Sequence, residues 1–247
     1  DADFILVDDL KAFRVRKVFT AGRLIAEDGR VLIPLDDAAA GAPSHSIHLK
    51  PLDEDALSLP VRTGKARVIG IEPASLVTKN LIREVKTDDA GCFQSSLNPG
   101  LTKIAVIERH KRTGKLGIGI LEGYGLTGGA IATTISHDSH NIIVVGTSEE
   151  EMALAANRVV ENRGGIVVTA DGAVTAELVL AIAGIMSDDT LENVNRDLEA
   201  AKAVAISQGV NPGIDPFMTL SFMALPVIPT LRLTTRGIID VNTQQYI

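Results

Sequence analysis

One cysteine, Cys92, is all that the 247 residues contain. That excludes an internal disulfide framework and any multi-cysteine metal site. Tryptophan is absent, and six Phe and two Tyr complete the aromatics, too few for a row of rings on which bases stack. Basic residues are outnumbered, 24 Lys+Arg against 31 Asp+Glu, for a net charge of -7. A nucleic-acid binder needs a basic surface to neutralise phosphates, so nucleic acid is not an expected partner. No apolar run reaches the roughly 18 residues of a membrane span. The opening DADFILVDDL has neither a basic n-region nor a small-residue cleavage site, so neither membrane nor signal peptide is expected. What is present, 45% hydrophobic and 22% charged residues, is the balance of a globular protein, and a reducing, cytoplasmic compartment is the simplest setting.

Punctuation divides the chain. Phe4–Val7 and Val15–Phe19 read as strands, and Arg23–Glu27 and Arg30–Ile33 flank Asp28-Gly29, a type I′ hairpin signal because both central residues take positive φ. This unit of residues 1–33 is too small to bury a core by itself. Residues 34–47, PLDDAAAGAPSHSI, have linker composition; a linker over 34–56 is expected, with a surface loop inside one domain as the alternative. From residue 57 to 247 strands come first and helices follow. Arg67–Ile71, Lys79–Lys86, Lys103–Glu108, Leu116–Leu121, Ala130–Ile135 and Asn141–Val145 are rich in Val, Ile and Thr. Ser148 with Glu151 makes a capping box, and Met152, Ala155, Ala156, Val159 and Val160 form one apolar helical face. Ile166–Thr169 and Val174–Leu178 read as a hairpin. A second helix opens near Asp189, with a stripe of Leu191, Val194, Leu198, Ala201 and Ala205 and Gly209 beyond its end. Asp215-Pro216 caps a third. The expected class is α+β: a small strand unit, then a mixed β-sheet domain covered by helices, with no complete TIM barrel.

Two motifs offer chemistry. Gly123-Tyr124-Gly125-Leu126-Thr127-Gly128-Gly129 fits G-x-G-x-x-G, but a dinucleotide fingerprint must open a helix, and Ala130–Ile135 is strand-like. A tight strand-to-strand connection is the plainer reading, with close backbone approach to another ligand left open. Ser136-His137-Asp138-Ser139-His140-Asn141 places two of the five histidines and an Asp between two strands. His suits proton transfer near neutral pH. A metal is an alternative, although i and i+3 on a strand face opposite ways, and a solvated turn is another. His45 and His48 read as surface residues, Cys92 as a buried small hydrophobe, and Glu108–Arg112 as a solvated hairpin end. No nucleophile elbow, P-loop, His-x-His or Cys-x-x-Cys is present, so the chain carries no complete catalytic set.

Ala105–His110, Gly128–Ala132, Ser136–Asn141 and Asn211–Phe217 together resemble the C-terminal half of bacterial adenine deaminases of the amidohydrolase superfamily. The resemblance covers nearly the whole chain and departs at Leu180-Ala181, where proline is expected. It implies that residues 1–33 are the closing strands of the superfamily's β-sandwich. It also implies that the (β/α)₈ barrel, with its divalent metal (manganese or iron), lies upstream. The implied reaction is hydrolysis of adenine to hypoxanthine and ammonia in purine salvage. The metal would acidify the attacking water, and a carboxylate would carry the proton to the leaving amine. This segment, inactive alone, would cover or support the barrel mouth. His137, Asp138, His140, Asn141, Gly128 and Gly129 would lie beside the substrate, and a homodimer is implied. The alternatives are a structural and oligomerisation module built on Phe217, Met218, Phe222 and Met223, or part of another cyclic-amide amidohydrolase.

Overall fold

The computed structural model describes residues 1–34 and 45–247; residues 35–44, most of the linker-like stretch, lie outside the described residues. Two compact units result, Asp1–Gly41 and Ala42–Ile247.

The smaller unit is a meander of β1 (Phe4–Val7), β2 (Val15–Thr20), β3 (Arg23–Glu27) and β4 (Arg30–Val31), paired antiparallel in chain order. Asp28 and Gly29 have φ of 45° and 78°, the type I′ geometry that Asp-Gly predicts. None of its strand residues is buried, as four short strands cannot bury a core of their own.

The larger unit is built on a mixed sheet of eight strands: β5 (Lys65–Gly70), β6 (Lys79–Glu84), β7 (Leu101–Ile107), β8 (Leu116–Glu122), β9 (Ala130–Thr133), β10 (Ile142–Gly146), β11 (Gly165–Ala170) and β12 (Ala173–Val179). Their order is β12-β11-β9-β10-β7-β8-β5-β6, and β5 with β8 is the parallel pair. Helix α1 (Glu149–Glu161) covers one face. On the other lie α2 (Leu191–Ser207), α3 (Pro216–Met223) and a small sheet of β13 (Leu231–Thr234), β14 (Gly237–Asp240) and β15 (Gln245–Tyr246). This arrangement is α+β, and no closed barrel is present among the described residues.

Covering both faces explains the unbroken apolar runs of the central strands. Every residue of β9 and β10 is buried. Ile104, Val106, Ile131 and Ile143 enter the core under α2 and α3, whereas Ala105, Ile107, Ala132 and Val144 enter the core under α1. Burial of each large aliphatic chain contributes about 1.5–3 kcal/mol. Lys103, inside β7, is buried and pairs with Glu149 at the start of α1.

Four expectations shift. The described part of the expected linker, residues 45–56, packs Ile47, Leu49 and Leu52 against the core under α1, and Asn157 holds the backbone of Leu52. The capping box at α1 is half made: the Ser148 hydroxyl accepts from the Glu151 N–H at 3.3 Å, but the Glu151 carboxylate accepts from Gly172 at 2.7 Å instead. Helix α2 is capped by Thr190 rather than Asp189, and Leu191, read into its apolar stripe, is 78% exposed. A first-turn residue has no turn before it to pack on, so periodicity overreaches there. Cys92 is half-buried rather than buried. Among the described residues, no helix is long and apolar enough to cross a membrane.

Candidate functional site

The histidine loop leaves the end of β9 through a set of side-chain hydrogen bonds. The Thr134 hydroxyl donates to the Gly184 carbonyl at 2.5 Å and accepts from the Gly165 N–H at 2.8 Å. The Thr134 backbone N–H also donates to the Gly165 carbonyl at 3.0 Å, so side chain and backbone together hold the end of the strand. Residues 136–140 then turn, with the His140 N–H donating to the Ser136 carbonyl at 2.6 Å and His140 at φ 46°. Asn141 re-enters β10 as a clamp. Its Oδ1 accepts from the Arg109 N–H at 3.4 Å and its Nδ2 donates to Ser139 Oγ at 3.1 Å.

The turn, rather than a strand, brings the two imidazoles to one side, with ring centroids 6.2 Å apart. The His137 ring packs on Phe222 of α3 at 4.9 Å, and the His137 backbone N–H donates to the Ser221 carbonyl at 3.1 Å. His110, from the β7–β8 connection, shares a 2.7 Å hydrogen bond with the Ser139 carbonyl. Beside the loop is an open cleft of about 430 Å³, in which Asp138, Ser139 and Asn141 face Val106, Leu225 and Val227.

Burial pushes the His140 imidazole below its ordinary pKa, and the charges of Arg109 and His137 push the same way; Asp138 pulls it back, and His110 adds a smaller push. The net effect favours the neutral ring, which offers a lone pair at neutral pH.

Arg109 is the site residue that sequence reading missed. The Glu108–Arg112 run reads as a solvated hairpin end, yet Arg109 is 2% exposed. Its Nε donates to the His140 carbonyl, its Nη1 to the Ser46 carbonyl at 3.3 Å and its Nη2 to the Ala183 carbonyl at 3.0 Å. The available signal is its position two residues past Ile107, directly after a strand buried on both faces. Glu108 does end the hairpin as a solvated cap should. Burial alone would raise its carboxyl, but hydrogen bonds from the N–H groups of Thr113, His110 and Lys111 and from the Thr113 hydroxyl outweigh it and hold the group at about 2.

Gly128 and Gly129 lie at the other end of β9 from the histidine loop. Gly129 immediately precedes β9 and the histidine loop follows its far end, so a four-residue strand of roughly 13 Å separates them. The glycine-rich loop is also not the tight connection expected of it, because β8 and β9 are separated in the sheet by β7 and β10. It spans the sheet end by close backbone packing: a Cβ on Gly125 would lie 2.6 Å from the Gly209 carbonyl, and one on Gly129 would lie 1.8 Å from the Thr169 carbonyl. β9 follows where a dinucleotide site needs a helix. His45 is exposed, and His48 donates its N–H to the Arg109 carbonyl at 2.6 Å.

The metal implied by the resemblance does not fit these residues. Among the described residues no group of three or more His, Cys, Asp or Glu side chains converges to hold an ion.

Comparison with known sequences gives a consistent result. The family described as "Adenine deaminase C-terminal domain" matches residues 75–245. A protein named "Adenine deaminase" from Nitratidesulfovibrio vulgaris is 50% identical over 246 residues, covering 99% of this chain and 42% of that protein. "Adenine deaminase 2" of Carboxydothermus hydrogenoformans is 43% identical over 98% of this chain and 42% of its own length. "Adenine deaminase" of Lysinibacillus sphaericus is 42% identical over 100% of this chain and again 42% of its own length. The chain thus spans well under half the length of these relatives.

Proposed function

The chain belongs to the adenine deaminase C-terminal domain family, and on that premise we propose that it forms the C-terminal part of an adenine deaminase. The protein is then a hydrolase acting on adenine, releasing hypoxanthine and ammonia in cytoplasmic purine salvage. The (β/α)₈ barrel, with a divalent manganese or iron, belongs to the portion of the relatives that this chain does not cover. This part, inactive alone, covers the barrel mouth with its histidine loop.

The observation that carries the reading is the loop itself. The larger unit holds no complete catalytic set among its described residues, yet it anchors five consecutive polar residues, His137–Asn141, from two separate segments: Arg109 and His110 of the β7–β8 connection, and the Ser221 carbonyl of α3. An ordinary turn between two buried strands needs no such bracing. In this role His140, kept neutral, accepts a hydrogen bond from the purine or from water on a proton path. Asp138 contributes a carboxylate that accepts an N–H, and Asn141 fixes the turn.

The test uses the full-length protein carrying His137→Ala, His140→Ala or Asp138→Asn. A loss in kcat/KM of about 10-fold or more in at least one is expected for a hydrogen-bonding or proton-transfer group. Wild-type kinetics in all three would reduce the loop to a turn.

A second reading, a homodimer interface, has its own observation. Phe217 and Met223 are buried under α3, but Met218 is 44% exposed and Leu76 is 48% exposed, and with half-buried Phe222 they line a groove of about 260 Å³. Met218→Glu converts a dimer to a monomer by size-exclusion chromatography if this surface is the contact, and leaves the elution volume unchanged if it is not.

A further inference from the structure

Arg109 has a distinctive arrangement of partners. A buried charge is ordinarily paired, because desolvation costs several kcal/mol. Among the described residues no carboxylate pairs with Arg109. Its guanidinium is caged instead by the carbonyls of Ser46, His140 and Ala183 and by the Ser46 hydroxyl at 3.2 Å. Its backbone completes the frame, donating to Asn141 Oδ1 and accepting from His48. Gly184 makes room for it: at φ 75° a Cβ there would lie 2.8 Å from Nη1 and 3.1 Å from Cζ. Three segments distant in sequence therefore meet on one planar cation. An apolar side chain of like volume would fill the space without the desolvation cost, but it could not reach three carbonyls or present a charge.

We propose that Arg109 is a positioning residue for the histidine loop, fixing the His140 backbone from beneath and presenting a positive charge to the loop's imidazoles. The inference rests on the reading that this loop approaches the purine. The titratable and charged groups facing His140 are Arg109 and His110 from the β7–β8 connection and His137 and Asp138 from its own turn. From α3 come Ser221 and Phe222, neither of which titrates in this range. Arg109 and burial both oppose protonation of His140, so removing the Arg109 charge while keeping the packing moves its titration upward.

The experiment compares wild-type full-length protein with Arg109→Met and Arg109→Lys. Histidine labelled with ¹³C at Cε1 gives the His140 titration by NMR, and kinetics are recorded against pH. In Arg109→Met the His140 midpoint is expected to rise. Its kcat should fall about 10-fold or more, with KM within about 2-fold. Arg109→Lys keeps the charge without the fork, so its midpoint should stay near wild type and part of kcat should return. Should Arg109→Met fail to fold, Gly184→Ala displaces the guanidinium and is expected to change kcat in the same direction. An unmoved midpoint and kcat in a folded Arg109→Met protein of lowered melting temperature would make Arg109 structural and overturn the inference. A moved midpoint, with turnover insensitive to the Arg109 and histidine variants alike, supports loop positioning and overturns the substrate-adjacent reading instead.

Discussion

The two ends of the β9–β10 strand pair are built on opposite principles. At one end the histidine loop is held largely by side chains: those of Thr134, Asn141, Ser139 and Arg109 add hydrogen bonds to the ones the backbone makes. At the other end the glycine-rich loop is held by backbone. Gly129 accepts from the Thr147 N–H at 3.0 Å and approaches Thr169 with no space for a side chain, while the Thr127 N–H donates to the Gln208 carbonyl at 2.9 Å. Glycine permits close approach but brings no proton-transfer group. The histidine end spends a buried cation and two imidazoles on a five-residue turn. Such an investment makes sense where the turn must be rigid and chemically active; the glycine end needs only to close the sheet.

Gly129→Ala is the strongest challenge to that contrast. Its Cβ would sit 1.8 Å from the Thr169 carbonyl at φ 72°, so thermal or urea unfolding should show a loss of about 3 kcal/mol or more. The folded fraction should retain wild-type kcat/KM, since the glycine end does not touch the histidine loop.

Arg232→Met sharpens it from another side. Arg232 is a second buried guanidinium, its pKa drawn down to about 10 by burial. It binds the Thr78 hydroxyl at 2.8 Å and the carbonyls of Leu231, Leu76 and Pro229. Its loss strands those acceptors and should cost about 2–3 kcal/mol in chemical unfolding. It should leave the His140 titration in place, which separates a cation that only packs from one that faces the imidazoles.

Glu108→Gln tests the solvated side of the same hairpin through pH. The folded carboxyl is held at about 2, below its ordinary 4.5. Its contribution is therefore fully present above pH about 4.5 and lost as pH falls toward about 2. Wild-type and variant stabilities should differ at neutral pH and converge in acid; a constant gap would mean that the hydrogen bonds, not the charge, are responsible. The smallest effect belongs to Leu191→Glu. At 78% exposure in the first turn of α2, it should change stability by no more than about 0.5 kcal/mol in urea unfolding.

Much of this was legible before the structure. The Asp28-Gly29 and Asp171-Gly172 turns, the Ser148 and Asp215 caps and the α1 stripe all follow from local rules, in which neighbours within four residues determine the outcome. The histidine loop stood out because His137, Asp138 and His140 are costly choices for a plain turn. Arg109 did not, because Glu108–Arg112 has the composition of a surface run and its partners, Ser46 and Ala183, lie 63 and 74 residues away in the chain. The distance of Gly128 and Gly129 from the histidines was not legible either, for a similar reason. Closeness in sequence across β9 becomes separation in space once the strand is extended.

By itself the sequence determined most of the strand and helix segments, though not all of their ends, and the α+β class, since both are written in local patterns of size, charge and turn chemistry; the family came from the resemblance of particular strings such as Ser136–Asn141. Only the tertiary structure decided the strand order, the burial of Arg109 and Arg232 and the face on which His137 meets Phe222. Those depend on which distant segments pack together, and packing is a property of the folded sheet and its covering helices rather than of any stretch of the chain.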